Sequence, residues 1–182
     1  MTETEISIKL REDARRLGLC DEWYGKWKDD TSLQGLIDKF KKGNDFCFSK
    51  RWPSLSFIKK HFPQDLLRQN GILVDDKYSY PVRNPSTRRI VYLRDYVLFG
   101  NSSSTVRYSF RQHTCNIWVR DTSRIKVDVK YGAFMMIHLF DNAVADVKTD
   151  LVSKVVVIKH SADSVVEQDG VVVVRNEFAY LK

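Results

Sequence analysis

From Val97 to Lys182 the sequence repeats itself at intervals of about twenty residues, and a recurrence of that length restricts the fold more than any other feature of the chain. Asn101, Asp121, Asp141, His160 and Asn176 align as one polar, turn-forming column, with steps of 20, 20, 19 and 16 residues. Four positions earlier stand Val97, Ile117, Ile137, Val156 and Val172, and two positions earlier Phe99, Val119, Leu139, Ile158 and Val174. Both columns are apolar, which is the alternation of a strand repeated in phase. After the turn come Ser103, Ser123, Ala143 and Ala162, then Thr105, Ile125, Ala145 and Ser164, then Arg107, Val127, Val147 and Val166, the pattern of a second inward-facing strand. Two strands and a polar corner per period predict a short single-chain parallel β-helix of about four to five coils, each coil burying its apolar side chains against the next. An antiparallel β-sandwich is the alternative that strand alternation also supports. Arg107 interrupts one inward column, and Phe178 and Tyr180 are read as aromatics that close the last coil.

Upstream the period changes from two to 3.6. Ile6, Leu10, Ala14 and Leu17 share a helical face, and Gly18 ends that helix. Asp21 to Lys28 reads as a short aromatic helix carrying Trp23, Tyr24 and Trp27. Thr31 or Ser32 caps a helix whose stripe is Leu33, Leu36, Ile37 and Phe40, stopped by Gly43. Another helix starts at Pro53 or Ser54 and runs through Leu55, Ile58 and Phe62, and Pro63 opens a last turn ending at Asn70 and Gly71. The fold class is therefore α+β, with a helical docking region at 1–71, connecting strands and a loop at 72–96, and the β-solenoid at 97–182. Short strands are expected at Ile72 to Val74 and Tyr78 to Tyr80.

The 182 residues are 43% hydrophobic, enough for a core in one or two domains. No apolar run reaches a membrane-spanning length, and Met1 to Leu10 is acidic and polar where a secretory signal is basic and then apolar. An intracellular protein without a membrane partner is expected. Three cysteines, Cys20, Cys47 and Cys115, lack CxxC spacing and read as buried thiols.

Motifs for nucleophilic hydrolysis, zinc proteolysis, phosphate loops and dinucleotide binding are absent from the sequence, so neither a catalytic residue, a metal nor a cofactor is assigned. His113 and Cys115 stand two apart without residues to complete a site. Stacked Asp121, Asp141 and His160 would lie in line on neighbouring coils, where they either bind a cation or hydrogen-bond the backbone of their own turns. Because Asn101 and Asn176 hold equivalent positions, the structural role accounts better for the column. The net charge of +7 divides as +4 through Arg88 and +3 after it, with local clusters at Lys39, Lys41 and Lys42, at Lys50 and Arg51, at Lys59 and Lys60, and at Arg88 and Arg89. Of these, Lys39, Lys41, Lys42, Lys59 and Lys60 are the candidate nucleic-acid contacts. The candidate partner-binding residues are an outward stripe of Leu98, Trp118, His138, Val157 and Val173 with Phe140 beside it, because an apolar stripe outside a solenoid must be covered or used.

Leu19-Cys20-Asp21-Glu22-Trp23, Asp45-Phe46-Cys47, Pro53-Ser54, Phe57-Ile58-Lys59 and Asn70-Gly71-Ile72, followed by the coils, resemble a group of proteins from gut Bacteroidales and their phages and prophages that carry no assigned activity. Phe140-Asp141-Asn142-Ala143 is also similar to the turns of wider phage β-solenoids, which serve as structural or adhesive parts. The resemblance implies a phage or mobile-element origin and a place in the host-cell cytoplasm or the virion. Two function classes follow. One is a non-enzymatic structural or protein-interaction module, self-associating or binding a protein partner through a rigid solenoid face. The other is a phage-encoded regulator or inhibitor that binds a host protein or nucleic acid through its basic helices. An enzyme ranks below both.

Overall fold

A computed structural model of the chain describes residues 1–27, 30–80, 82–83, 90–91, 93–109 and 114–179, with backbone alone at 82–83 and 90–91. Tyr180, His113, Arg88 and Arg89 lie outside the described residues. The chain divides into two compact units, one built from Met1–Leu66 and one from Leu67–Tyr180.

The first unit is helical. Thr2 caps α1 (Glu3–Arg16) through a reciprocal pair: its side chain accepts from the Glu5 amide and its own amide donates to Glu5. The α1 face that is buried carries Ile6, Ser7, Leu10 and Ala14. Leu17 is instead the C-cap and is exposed. Trp27, just after α2 (Asp21–Lys26), is buried and donates its indole N–H to Ser7 at 3.2 Å, so the aromatic segment is an anchor for α1. Ser32 caps α3 (Leu33–Lys42), which Gly43 ends as expected. Gly43 also opens α4 (Asn44–Ser49), a helix with no capping side chain to signal it in the sequence. Ser54 caps α5 (Leu55–His61), and α6 (Gln64–Gln69) follows.

The second unit is the solenoid. Sheet A holds, in spatial order, β1 (Ile72–Val74), β5 (Asp95–Phe99), β7 (Thr114–Val119), β9 (Phe134–Leu139), β11 (Lys154–Lys159) and β13 (Val172–Asn176). Sheet B holds β12 (Val165–Asp169), β10 (Val144–Thr149), β8 (Arg124–Val129), β6 (Ser103–Tyr108) and β2 (Lys77–Tyr80). Every pairing within both sheets is parallel, which excludes the antiparallel sandwich. A short antiparallel pair, β3 (Val82–Arg83) with β4 (Ile90–Val91), is inserted between β2 and β5. Four regular coils run from β5 to β12. β1 and β2 join the same two sheets, so the stack begins at Ile72 and the segment read as a connection supplies its first rung.

Between the sheets lies an interior of Leu73, Leu98, Val119 and Leu139 in one column, Tyr96, Ile117, Ile137 and Val157 in the next, and Val106, Val127 and Val147 facing them. In sheet B the last step of this register is two residues longer than read, with Ala145 paired to Val166 in place of Ser164, and in sheet A the register corrects the sequence reading by one residue at three of its steps. Val97 pairs with Trp118, Ile137 with Val157 and Val156 with Val173, which makes those steps 21, 20 and 17. At the first of these steps the cause lies at the corner. Gly100 (φ 68°) adopts the left-handed conformation that Asp75 (φ 50°), Asp121 (φ 62°) and Asp141 (φ 53°) adopt on the other rungs, so backbone geometry aligns Gly100 with them, where side-chain chemistry had aligned Asn101. A side chain at Gly100 is excluded as well, since a Cβ there would stand 2.1 Å from the Asp75 carboxylate. Moving the register by one also removes the Arg107 anomaly: Val106 takes the inward place, and Arg107 is exposed on the outer face.

Candidate interaction surfaces

The corner aspartates form a ladder of hydrogen bonds. Asp121 accepts from the Gly100 amide at 2.8 Å and Asp141 accepts from the Asp121 amide at 3.2 Å, while Asp75 accepts from the Asn101 amide at 2.8 Å. Each carboxylate satisfies a corner N–H that the strand ladders leave over. His160 stands elsewhere, one residue before the corner on the outer face of sheet A, so the predicted Asp121, Asp141, His160 line does not assemble. Among the described residues no group of three or more His, Cys, Asp or Glu is placed to hold a metal ion. The opposite corner repeats the device with Asp150, which accepts from the Tyr131, Val152 and Ser153 amides. Hydrogen bonding, first to Ser153, holds its carboxyl below the ordinary value.

The outer face of sheet A carries the predicted stripe in altered form. Leu98 and Val157 point into the solenoid interior and are closed to any partner. Val173 faces outward and is 48% exposed near the end of the stack. Trp118, His138 and Phe140 do come together. The Trp118 and His138 rings stack at 4.0 Å and 5°, and Phe140 stacks on His160 at 4.4 Å. His160 itself was not singled out for this face; its only sequence signal is its place before a corner. His160 Nδ1 lies 3.2 Å from the Glu177 carbonyl and His138 Nδ1 lies 3.0 Å from His160 Nε2. A carbonyl only accepts, so a neutral His160 carries its proton on Nδ1, and His138 donates to its Nε2. Trp118 is 7% exposed and Phe140 fully buried, so these two rings are covered side chains of the outer face, while His138 is half-buried.

Of the candidate lysines, Lys39, Lys41 and Lys42 occupy the last turn of α3 and Lys59 and Lys60 the last turn of α5, where cations offset the helix dipole. Lys39 also donates to the Asp30 carbonyl. These positions give the two clusters a structural reason to be basic. Comparison with family models, curated proteins and solved structures finds no match. Cys115 and Cys47 are buried thiols as expected, whereas Cys20 is exposed. Burial pushes the Cys115 thiol far above its ordinary value, the opposite of what a nucleophile needs. No helix among the described residues is long and apolar enough to cross a membrane.

The outer face of sheet B is the open one. Its side chains stack in columns: Lys77, Ser103, Arg124, Val144 and Val165; then Ser79, Thr105, Lys126, Asp146 and Glu167; then Arg107, Asp128, Lys148 and Asp169. Lys126 pairs with Asp146 at 2.9 Å and Lys148 with Asp169 at 3.0 Å, each across one rung. The sequence alternation already left the outward positions of β8 and β10 outside, because Ile125, Val127, Ala145 and Val147 were read as inward; only Ser103, Thr105 and Arg107 of β6 change sides.

Proposed function

We propose that the protein is a non-enzymatic binding module, phage- or mobile-element-encoded as the sequence resemblance implies, whose working surface is the outer face of sheet B. The observation that carries the reading is a face of five parallel strands whose polar and charged side chains stand in register, most of them in solvent, while Val97, Phe99, Trp118, Phe140 and Ile158 on the outer face of sheet A are buried. A stack of this kind fixes the spacing of its side chains through backbone hydrogen bonds, so its surface is preorganised for a partner. Two further observations support a binding role over a catalytic one: the corner carboxylates are committed to backbone amides, and Cys115 is held as a neutral thiol. The test is site-specific photocrosslinking in cells. A benzoylphenylalanine in place of Thr105, at the centre of the face, is expected to give a discrete adduct, whether with protein, nucleic acid or a second copy. The same group at Gln34, exposed on α3, serves as the comparison. Adducts at Gln34 with none at Thr105 would reject this face as the working surface.

A further inference from the structure

We infer that the first three rungs of sheet B bind the sugar-phosphate backbone of double-stranded nucleic acid, an inference that rests on the reading of this face as the binding surface. The charges on the face are separated. Beyond β8 the cation Lys148 is matched by Asp169, and the remaining charges there, Asp146 and Glu167, are acidic. On β2, β6 and β8, by contrast, Lys77, Arg107 and Arg124 are exposed and have no acidic partner among the described residues. Asp128, which follows Arg107 on the next rung, is engaged by Lys130 at 3.3 Å. Between the three cations stand the hydroxyls of Ser79, Ser103 and Thr105. Three unmatched cations around hydroxyl donors form a complement to phosphate oxygens.

The spacing selects the form of the nucleic acid. Lys77 and Arg124 share a column two rungs apart, about 10 Å at the usual strand separation. Arg107 lies four residues along the strand from that column, about 13 Å at the usual rise. That breadth is comparable with the roughly 12 Å width of the major groove, so cations on the two sides reach phosphates of opposite strands. No aromatic side chain stands on the outer face among the described residues, and single-stranded nucleic acid is held mainly by stacking its bases on aromatic rings. Contacts limited to the backbone carry no base sequence, so binding is sequence-independent. Glu167 and Asp169 repel phosphate and confine the contact to the basic rungs. The chain's net charge of +7 adds long-range attraction.

The experiment is fluorescence anisotropy of the full chain with duplex DNA, followed from about 50 to about 200 mM salt. Three phosphate contacts predict a slope of about −2.7 for the logarithm of affinity against the logarithm of salt, a loss of about 40-fold over that range. Lys77→Gln, Arg107→Gln and Arg124→Gln should each reduce the slope by about 0.9, and the triple variant should abolish salt-dependent binding without lowering the melting temperature. Lys60→Gln, on α5, should leave the slope unchanged. Absence of duplex binding at the lowest salt would overturn the inference, as would slopes unaffected by the three substitutions. Equal affinity for single strands or for poly-glutamate would overturn it too, by assigning the face to another partner. A Thr105 crosslink to protein alone would remove the nucleic acid and keep the binding face; no Thr105 crosslink would remove both.

Discussion

Ser102, Ser103 and Ser104 are three identical side chains with three different fates. Ser102 is buried at the corner and donates to the Phe99 carbonyl at 2.6 Å; Ser103 faces outward; Ser104 faces inward between Tyr78 and Ile125. Nothing in their chemistry separates them, so the sequence analysis placed Ser103 in the small inward column where the structure places Ser102 above Ser123. The buried Ser104 hydroxyl has no hydrogen-bond partner among the described residues. A hydroxyl buried unpaired is destabilising, so Ser104→Ala should raise stability by about 1 kcal/mol. Ser102→Ala, which removes a made hydrogen bond, should lower it by about as much. Denaturant midpoints measure both. A clear loss on Ser104→Ala would show that its hydroxyl is bonded in the folded protein and that the inward placement is wrong.

Strands were legible as elements because inside and outside alternate, but their register was legible only in the middle of the stack, where Ile117 over Ile137 and Ile125 over Ala145 stand as read. Register is set by hydrophobic pattern only where one face is apolar, and here Val97, Phe99, Trp118 and Ile158 make the outer face of sheet A apolar as well. A slip of one residue then exchanges one apolar column for another, and Leu98 and Val157 were read as outward for that reason. Helices fared better where caps and stripes agreed, as in α3, and worse in α4, whose opening glycine doubles as the stop of the helix before it. The corner ladder is the element whose role the structure decides. Asp141→Asn keeps an acceptor for the Asp121 amide and tolerates the left-handed backbone, so its stability should stay within about 0.5 kcal/mol. Asp141→Ala leaves that amide without its acceptor and places Ala at positive φ, which should cost about 1 to 3 kcal/mol in urea unfolding. Equal damage from the two substitutions would show that the carboxylate charge matters, and calcium or zinc raising the melting temperature of the parent alone would assign that charge to a cation.

At the scale of the whole molecule, the division into a helical unit and a solenoid was readable from the change of period, although the first rung lies in the segment read as a connection. That segment breaks the recurrence because β3 and β4 are inserted after it, so the twenty-residue interval could not reveal it. The same rung brings Tyr78 and Tyr80 beside the interior, where Tyr80 meets Tyr96 at 4.9 Å. Burial raises the hydroxyls of Tyr80 and Tyr96 well above their ordinary value of 10.0, raises Tyr108 to about 12, and raises the Cys115 thiol above 9.0. In the unfolded chain these groups lose their protons near pH 9 to 10, whereas in the folded chain they keep them, so above that range the folded state binds more protons. Stability contributed by the neutral groups is therefore complete below about pH 9 and falls as pH rises through the elevated values. Melting temperature followed from pH 8 to about 11 should decline from about pH 9.5 upward, and Tyr96→Phe, which cannot ionise, should make the decline shallower. A melting temperature that is flat or rising across that interval would mean that these tyrosines titrate freely in the folded protein, and would reject the burial of Tyr80, Tyr96 and Tyr108 in the solenoid interior.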